Sequence, residues 1–131
     1  MEEIWKPVKN YEGIYLISSL GRIKSVSRYI PTYYGLRKTK VRILKTRSDK
    51  DGYQLVNLSV NKTQNTFKVH RLVAETFIKN ILNKPEVNHK DKNKANNSLR
   101  NLEWVTAKEN TFHRNNFRNI LILQNSDHAT L

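Results

Sequence analysis

Between Val87 and Asn110 the chain reads VNHKDKNKANNSLRNLEWVTAKEN, and this stretch limits what the rest can fold into. His89 opens an asparagine-dense run whose side chains favour turns over ladders. A short apolar strand follows, with Leu102, Trp104 and Val105 in LEWVT. Thr106 and Glu109 are then spaced as a capping box. The threonine oxygen can accept from a backbone N–H in the first turn, and the glutamate can reach back to the cap's own N–H. That spacing puts Asn110 in the first turn of a helix. The stretch therefore predicts strand, long polar loop, strand and helix. His89 and its neighbours sit at one end, and Asn110 returns to face them.

The whole chain has 131 residues, enough for one domain, or one small domain with an extension. Its formal net charge of +13 favours a polyanionic partner, nucleic acid first and an anionic membrane surface second. No apolar run approaches the roughly 20 residues of a membrane span. The first residues, MEEIWKPVKN, do not read as a signal peptide, which leaves the cytoplasm as the default location. With no cysteine in the sequence, disulfides, iron–sulfur clusters and thiolate zinc sites are excluded.

The chain before Val87 divides by pattern. In EEIWKPVKNYEGIYLISSLGRIKSVSR, Ile14, Leu16 and Val26 predict two short strands around a Ser-Ser-Leu-Gly turn, with Gly21 at positive φ. Trp5, Tyr11 and Tyr15 are expected to anchor a small β core. A basic belt follows: Arg22, Lys24, Arg28, Arg37, Lys38, Lys40, Arg42, Lys45, Arg47 and Lys50, with Tyr29, Tyr33 and Tyr34 interleaved. Pro31 and Gly35 predict a loop in its middle, and Val41–Leu44 a strand. The belt is read either as a solvated face or as a DNA-backbone contact, and its density favours the second. Alternation over residues 52–69 predicts a β-hairpin turning at Asn61 to Asn65. HRLVAETFIKN, residues 70–80, predicts a helix with Leu72, Val73 and Phe77 on its apolar face. His70 at its start is open to two readings, a satisfied structural histidine or a phosphate contact.

The 87–110 stretch resembles the HNH nuclease motif of phage intron-encoded homing endonucleases and their free-standing relatives. His89 falls on the first H and Asn101 on the middle N. Asn110 falls on the last position, where the family uses His or Asn. The linking residues DKNKANN and NLEWVT agree as well. The N-terminal order W-K, Y-E, Y-L-I-S, G-R-I-K-S is similar to the NUMOD4-like module that often precedes such nucleases. The resemblance implies an α+β fold, with a small antiparallel β module followed by a helix and a ββα-metal motif. The expected division is 1–60 for the docking module, 61–117 for the nuclease domain and 118–131 for a tail.

The resemblance also implies a chemistry. His89 is the expected general base in phosphodiester hydrolysis, since an imidazole can accept a proton near neutral pH. Asn88 and Asn110 are the expected ligands of a single Mg²⁺ or Mn²⁺, with no zinc, and products would carry 5′-phosphate and 3′-hydroxyl ends. Asn101 is expected to bond backbone across the loop and hold His89 in place. Two positions depart from the family: Asn88 stands where the commonest pattern has aspartate, and Lys92 where it has glycine. Asp91 is read as a turn cap over a ligand. Serving one site from adjacent Asn88 and His89 is expected to need an irregular backbone. Arg100, His113 and Arg114 are further candidate DNA contacts. The expected partner is double-stranded DNA in a cytoplasmic, nucleoid-associated setting, with no membrane and a possible homodimer through the apolar patch Ile120–Leu123. Two alternatives remain: a DNA-binding protein with a decayed site, motivated by Asn88, and a basic RNA-binding structural protein.

Overall fold

The computed structural model describes residues 2–111. Four strands form the first sheet: β1 (Trp5–Pro7), β2 (Tyr15–Ser18), β3 (Ile23–Ser25) and β6 (Arg42–Ile43), in the order β1-β2-β3-β6. The β2–β3 pair closes around the expected Ser-Ser-Leu-Gly turn. Gly21 takes φ +86 there, a conformation that costs a residue without Cβ nothing. Between β3 and β6 the chain leaves the sheet. The loop expected around Pro31 and Gly35 is instead a second hairpin, β4 (Tyr29–Thr32) against β5 (Gly35–Lys38). Pro31 is tolerated because a ribbon of two strands is all edge, so a missing N–H breaks no central ladder. The ribbon is exposed along its length, and Tyr33 and Tyr34 at its tip are each 94% accessible.

A third sheet joins β7 (Arg47–Ser48), β8 (Gln54–Val60) and β9 (Thr63–Lys68). Its hairpin turns in two residues, where a turn running to Asn65 was expected. Asn61 and Lys62 have φ of 50 and 66, the double positive φ whose twist suits a tight hairpin. Helix α1 (Val69–Phe77) follows β9 without a break and buries Val69, Leu72, Val73 and Ala74. It stops short of the expected Asn80. Ile78 is already extended, and the Asn80 amide closes the next loop by bonding Lys84 N at 2.8 Å and Lys84 O at 2.7 Å. A side chain that offers the backbone such an alternative competes with helix. Last come β10 (Glu86–His89) and β11 (Leu102–Val105), an antiparallel pair with the short 3₁₀ turn Leu99–Asn101 just before β11.

One hydrophobic core serves the described chain. Val8, Tyr11, Tyr15, Ile17 and Ile23 from the first sheet pack in the same cluster as Val56, Leu58, Val69, Val73 and Leu102. The boundary near residue 60 falls within the β8–β9 hairpin, with members of this core on both sides of it. Trp5 does not join the core. It is half-buried, and its ring carries Lys24 Nζ at 4.1 Å and Arg22 Cζ at 5.5 Å. An amphipathic indole at the sheet edge is better placed under cations than in a dry interior.

Candidate active site

His89, the last residue of β10, is 4% exposed. Its Nε2 lies 2.8 Å from Oδ1 of Asn97, itself buried. An amide oxygen only accepts, so Nε2 carries the hydrogen and Nδ1 keeps the lone pair. The ring stacks on His70 at 5.0 Å, and His70 stacks on Tyr53 at 5.1 Å. Lys68 and Lys94 each place an ammonium 4.5 Å from the Tyr53 ring. Burial pushes the His89 pKa below its ordinary value, against the opposing pull of the Asn97 bond. The imidazole is therefore held neutral.

The loop after His89 is a self-bonded knot. Asn101 Oδ1 accepts from Asp91 N at 3.0 Å, while its Nδ2 donates to Asp91 Oδ1 at 2.8 Å and to Asn96 O at 2.9 Å. The Lys90 N–H also bonds Asn101 O at 2.8 Å. Asn101 thus ties both limbs of the loop together and reaches His89 through the backbone next to it. Asp91 accepts from Asn93 N and Asn96 Nδ2, each at 2.8 Å, which is the geometry of a turn cap.

Asn88 and Asn110 meet across a cavity of about 280 Å³ that His89 also lines. The expected irregular backbone is absent: β10 keeps its register through Asn88↔Glu103 and His89↔Leu102. Both side chains reach the cavity because it lies where the strand gives way to the turn. The capping box forms as expected, with Glu109 N to Thr106 Oγ1 at 3.1 Å and Thr106 N to Glu109 Oε1 at 3.3 Å. It starts a helix at residue 107 and sets Asn110 in its first turn. Each amide donates to a carboxylate: Asn110 Nδ2 to Glu86 Oε1 at 3.2 Å, and Asn88 Nδ2 to Glu103 Oε2 at 3.3 Å. Lys92 sits at φ +64, which accounts for a family preference for glycine. Its ammonium donates to Asn88 Oδ1 at 3.0 Å.

The family profile described as HNH endonuclease matches residues 67–112, and that of the NUMOD4 motif matches residues 3–59. An uncharacterized HNH endonuclease of Acanthamoeba polyphaga mimivirus is 42% identical over 82% of this chain and 28% of its own length. The DNA endonuclease I-HmuI of Bacillus phage SP01 is 40% identical over 81% of this chain and 54% of its own length. The solved structure of I-HmuI, reported for DNA binding and cleavage by that HNH homing endonuclease, superposes with a TM-score of 0.66. It is 36% identical and covers 95% of this chain and 68% of the solved one. The chain belongs to the HNH endonuclease family. It spans about half the length of I-HmuI and less of the mimivirus relative.

Within this HNH chain the belt cations Arg28, Arg37, Lys38, Lys40, Arg42, Lys45 and Arg47 are exposed along β4 to β7, as is Arg100 beside the loop. Arg22 is exposed but forms an ion pair with Glu3, and Lys24 lies on Trp5. Arg47 Nη1 bonds Asn57 Oδ1 at 3.0 Å. His113, Arg114 and the Ile120–Leu123 patch lie outside the described residues, as does the expected run of the helix to Phe117. Among the described residues no helix is long and apolar enough to cross a membrane.

Several site residues were not singled out from sequence. Asn97 is one of three asparagines in NKANN, with nothing to mark it as the partner of His89. Tyr53 approaches His89 from the segment before β8, and Glu86 and Glu103 lie on β10 and β11. The expectation of a satisfied His70 is corrected, since its buried Nδ1 has no hydrogen-bond partner among the described residues. The phosphate contact has little support, because the ring is buried. Burial, aided by the nearby His89, Lys68 and Arg71, pushes its pKa down to about 3. The unfolded imidazole titrates near 6.5, so above about pH 6.5 both states are neutral and the depression costs nothing. Below that the unfolded chain takes up the proton first, and this penalty on the fold grows as pH falls toward 3. His70→Phe keeps a stacked ring without that penalty. Between pH 7 and 5 the native chain should lose about 2 kcal/mol through His70, read by urea denaturation at each pH, and the variant should lose correspondingly less.

The first sheet also bears on Asn97, the partner of His89. A Cβ built on Gly21 would lie 2.8 Å from Asn97 Cβ and 2.9 Å from Asn97 O. Ser19 O, in the same turn, accepts from Leu99 N at 2.8 Å. Gly21→Ala therefore meets both strain and a clash, and should cost ~2 kcal/mol or more. The melting temperature should fall, and activity should drop further than the loss of folded protein accounts for, because Asn97 must move.

Proposed function

We propose that this chain is a divalent-metal-dependent DNA endonuclease that hydrolyses a phosphodiester to 5′-phosphate and 3′-hydroxyl ends. The observation that carries the reading is the shared cavity of His89, Asn88 and Asn110. Neutral His89, fixed as the tautomer with Nε2–H on Asn97, takes a proton from the attacking water at Nδ1. Asn97 and the His70–Tyr53 stack hold the ring plane, so little reorganisation is needed when the proton arrives. Asn101 acts at one remove by keeping the loop closed.

Among the described residues no group of three or more His, Asp or Glu side chains gathers, so a cation here must draw on amide oxygens. Those of Asn88 and Asn110 are hard donors of the type Mg²⁺ and Mn²⁺ take, and these residues would hold the ion. When bound, it would supply Lewis acidity and charge stabilisation at the phosphate. With a neutral amide at position 88 and the Lys92 ammonium on it, uptake should be appreciable only when DNA phosphate adds its charge. The exposed belt from Arg28 to Arg47, with Arg100, is the surface for the duplex backbone. One site per chain cuts one strand, and a double-strand break needs a second copy or a second visit.

The test is plasmid nicking by the full chain with Mg²⁺ or Mn²⁺, followed by labelling of the ends. Nicks carrying 5′-phosphate support the reading. The Lys92–Asn88 contact favours a second one, a duplex-binding protein whose site has decayed, which predicts binding without nicks in either metal.

A further inference from the structure

Asn88 leaves the expected cation site without the negative charge that an aspartate would bring, and Lys92 adds a positive one. Two neutral amides hold a hard divalent ion weakly, because affinity for such ions rises with the number of charged oxygen ligands. The carboxylate that lines this cavity, among the described residues, is Glu86. It precedes Asn88 by two positions in β10, and residues so spaced project from one face of a strand. From the helix side, Asn110 Nδ2 donates to Glu86 Oε1 at 3.2 Å. That contact aligns the amide through its nitrogen and leaves its oxygen for another partner. Lys84, a neighbour in sequence, is engaged by Glu109 at 2.9 Å. Glu103 also shares Asn88's face, through the pair Asn88↔Glu103, but it does not line the cavity.

We infer that Glu86 is the anionic ligand of the divalent cation, supplying from the start of β10 the charge that Asn88 lacks. The inference rests on the metal-dependent reading above and adds a third donor to it. The ion is then held by Glu86 and Asn88 from one strand and Asn110 from the facing helix. Lys92 is left to follow the phosphate.

The experiment reads metal binding without turnover. Full chain carrying His89→Ala, mixed with duplex DNA, is titrated with Mn²⁺, and free ion is followed by electron paramagnetic resonance. Adding Glu86→Gln should raise the Mn²⁺ dissociation constant at least tenfold, while Glu75→Gln, paired with Arg71 on α1 and outside the cavity, should change it less than twofold. Combining Glu86→Gln with Asn88→Asp should bring binding back to within about threefold of the parent, a recovery that a misfolded chain would not show. A Glu86→Gln chain with the parent's affinity, or a double variant that fails to recover it, overturns the assignment. A parent that takes up no Mn²⁺ even on DNA overturns the metal-dependent reading itself, and the assignment with it.

Discussion

Replacing His89 with alanine is expected to lower plasmid nicking by ~10²–10⁴-fold, the usual worth of a positioned general base. DNA affinity measured at the same salt should change by less than threefold, because the ring is neutral and buried beside Asn97 and is not one of the exposed cations. The separation of the two readouts is what matters. A residue that merely held the fold would lower binding and nicking together. The comparison with Asn97→Ala sharpens it: losing Nε2's partner frees the tautomer and ring plane without removing the base. That variant should therefore retain part of the rate, with thermal unfolding to correct for the buried side chain lost. Equal nicking by wild type and His89→Ala would remove the imidazole from the reaction.

Duplex affinity is expected to fall by about 10³-fold or more between 50 and 200 mM salt, the response of a protein that neutralises some six or more phosphates. The exposed cations along β4 to β7 are enough for that number even after Arg22 is set aside for its pairing with Glu3. Removing Arg37, Lys38 and Lys40 together should weaken binding similarly on unrelated sequences. It should also reduce the slope of log affinity against log salt by about three. These side chains stand on or beside a ribbon whose strands pair only with each other, so the melting temperature should hardly move. A slope left unchanged by the triple variant would place the phosphates elsewhere on the surface.

Local chemistry explains which parts could be read from residues alone. The Thr106–Glu109 box and the Gly21 turn each depend on neighbours within a few positions, and both formed as expected. Helix α1 was foreseen from its apolar spacing, but its end was not, because Asn80 chose a loop bond that no periodicity encodes. Pro31 pointed to a loop until β5 supplied a partner that makes it a ribbon edge. In the site, His89, Asn88 and Asn110 were named through the motif. Asn97, Tyr53 and Glu86 were not, and His70 was named without its stacking role, since each acquires its meaning only when the loop, α1 and the last helix come to lie around the end of β10. Trp5 was expected in the core because aromatics usually bury, and the two cations beside it decided otherwise.

The core that runs from Tyr15 and Ile23 through Leu58 to Val73 and Leu102 bears on how such a protein can be rebuilt. Profiles of two motifs meet in this chain, yet among the described residues the apolar side chains of both pack in one cluster. Severing the backbone near residue 60 would leave two fragments with greasy raw surfaces and would withdraw the Gly21 turn from behind Asn97. Replacing the N-terminal module would therefore have to preserve β2, β3 and their turn. The outlying ribbon, by contrast, can be exchanged without opening the interior.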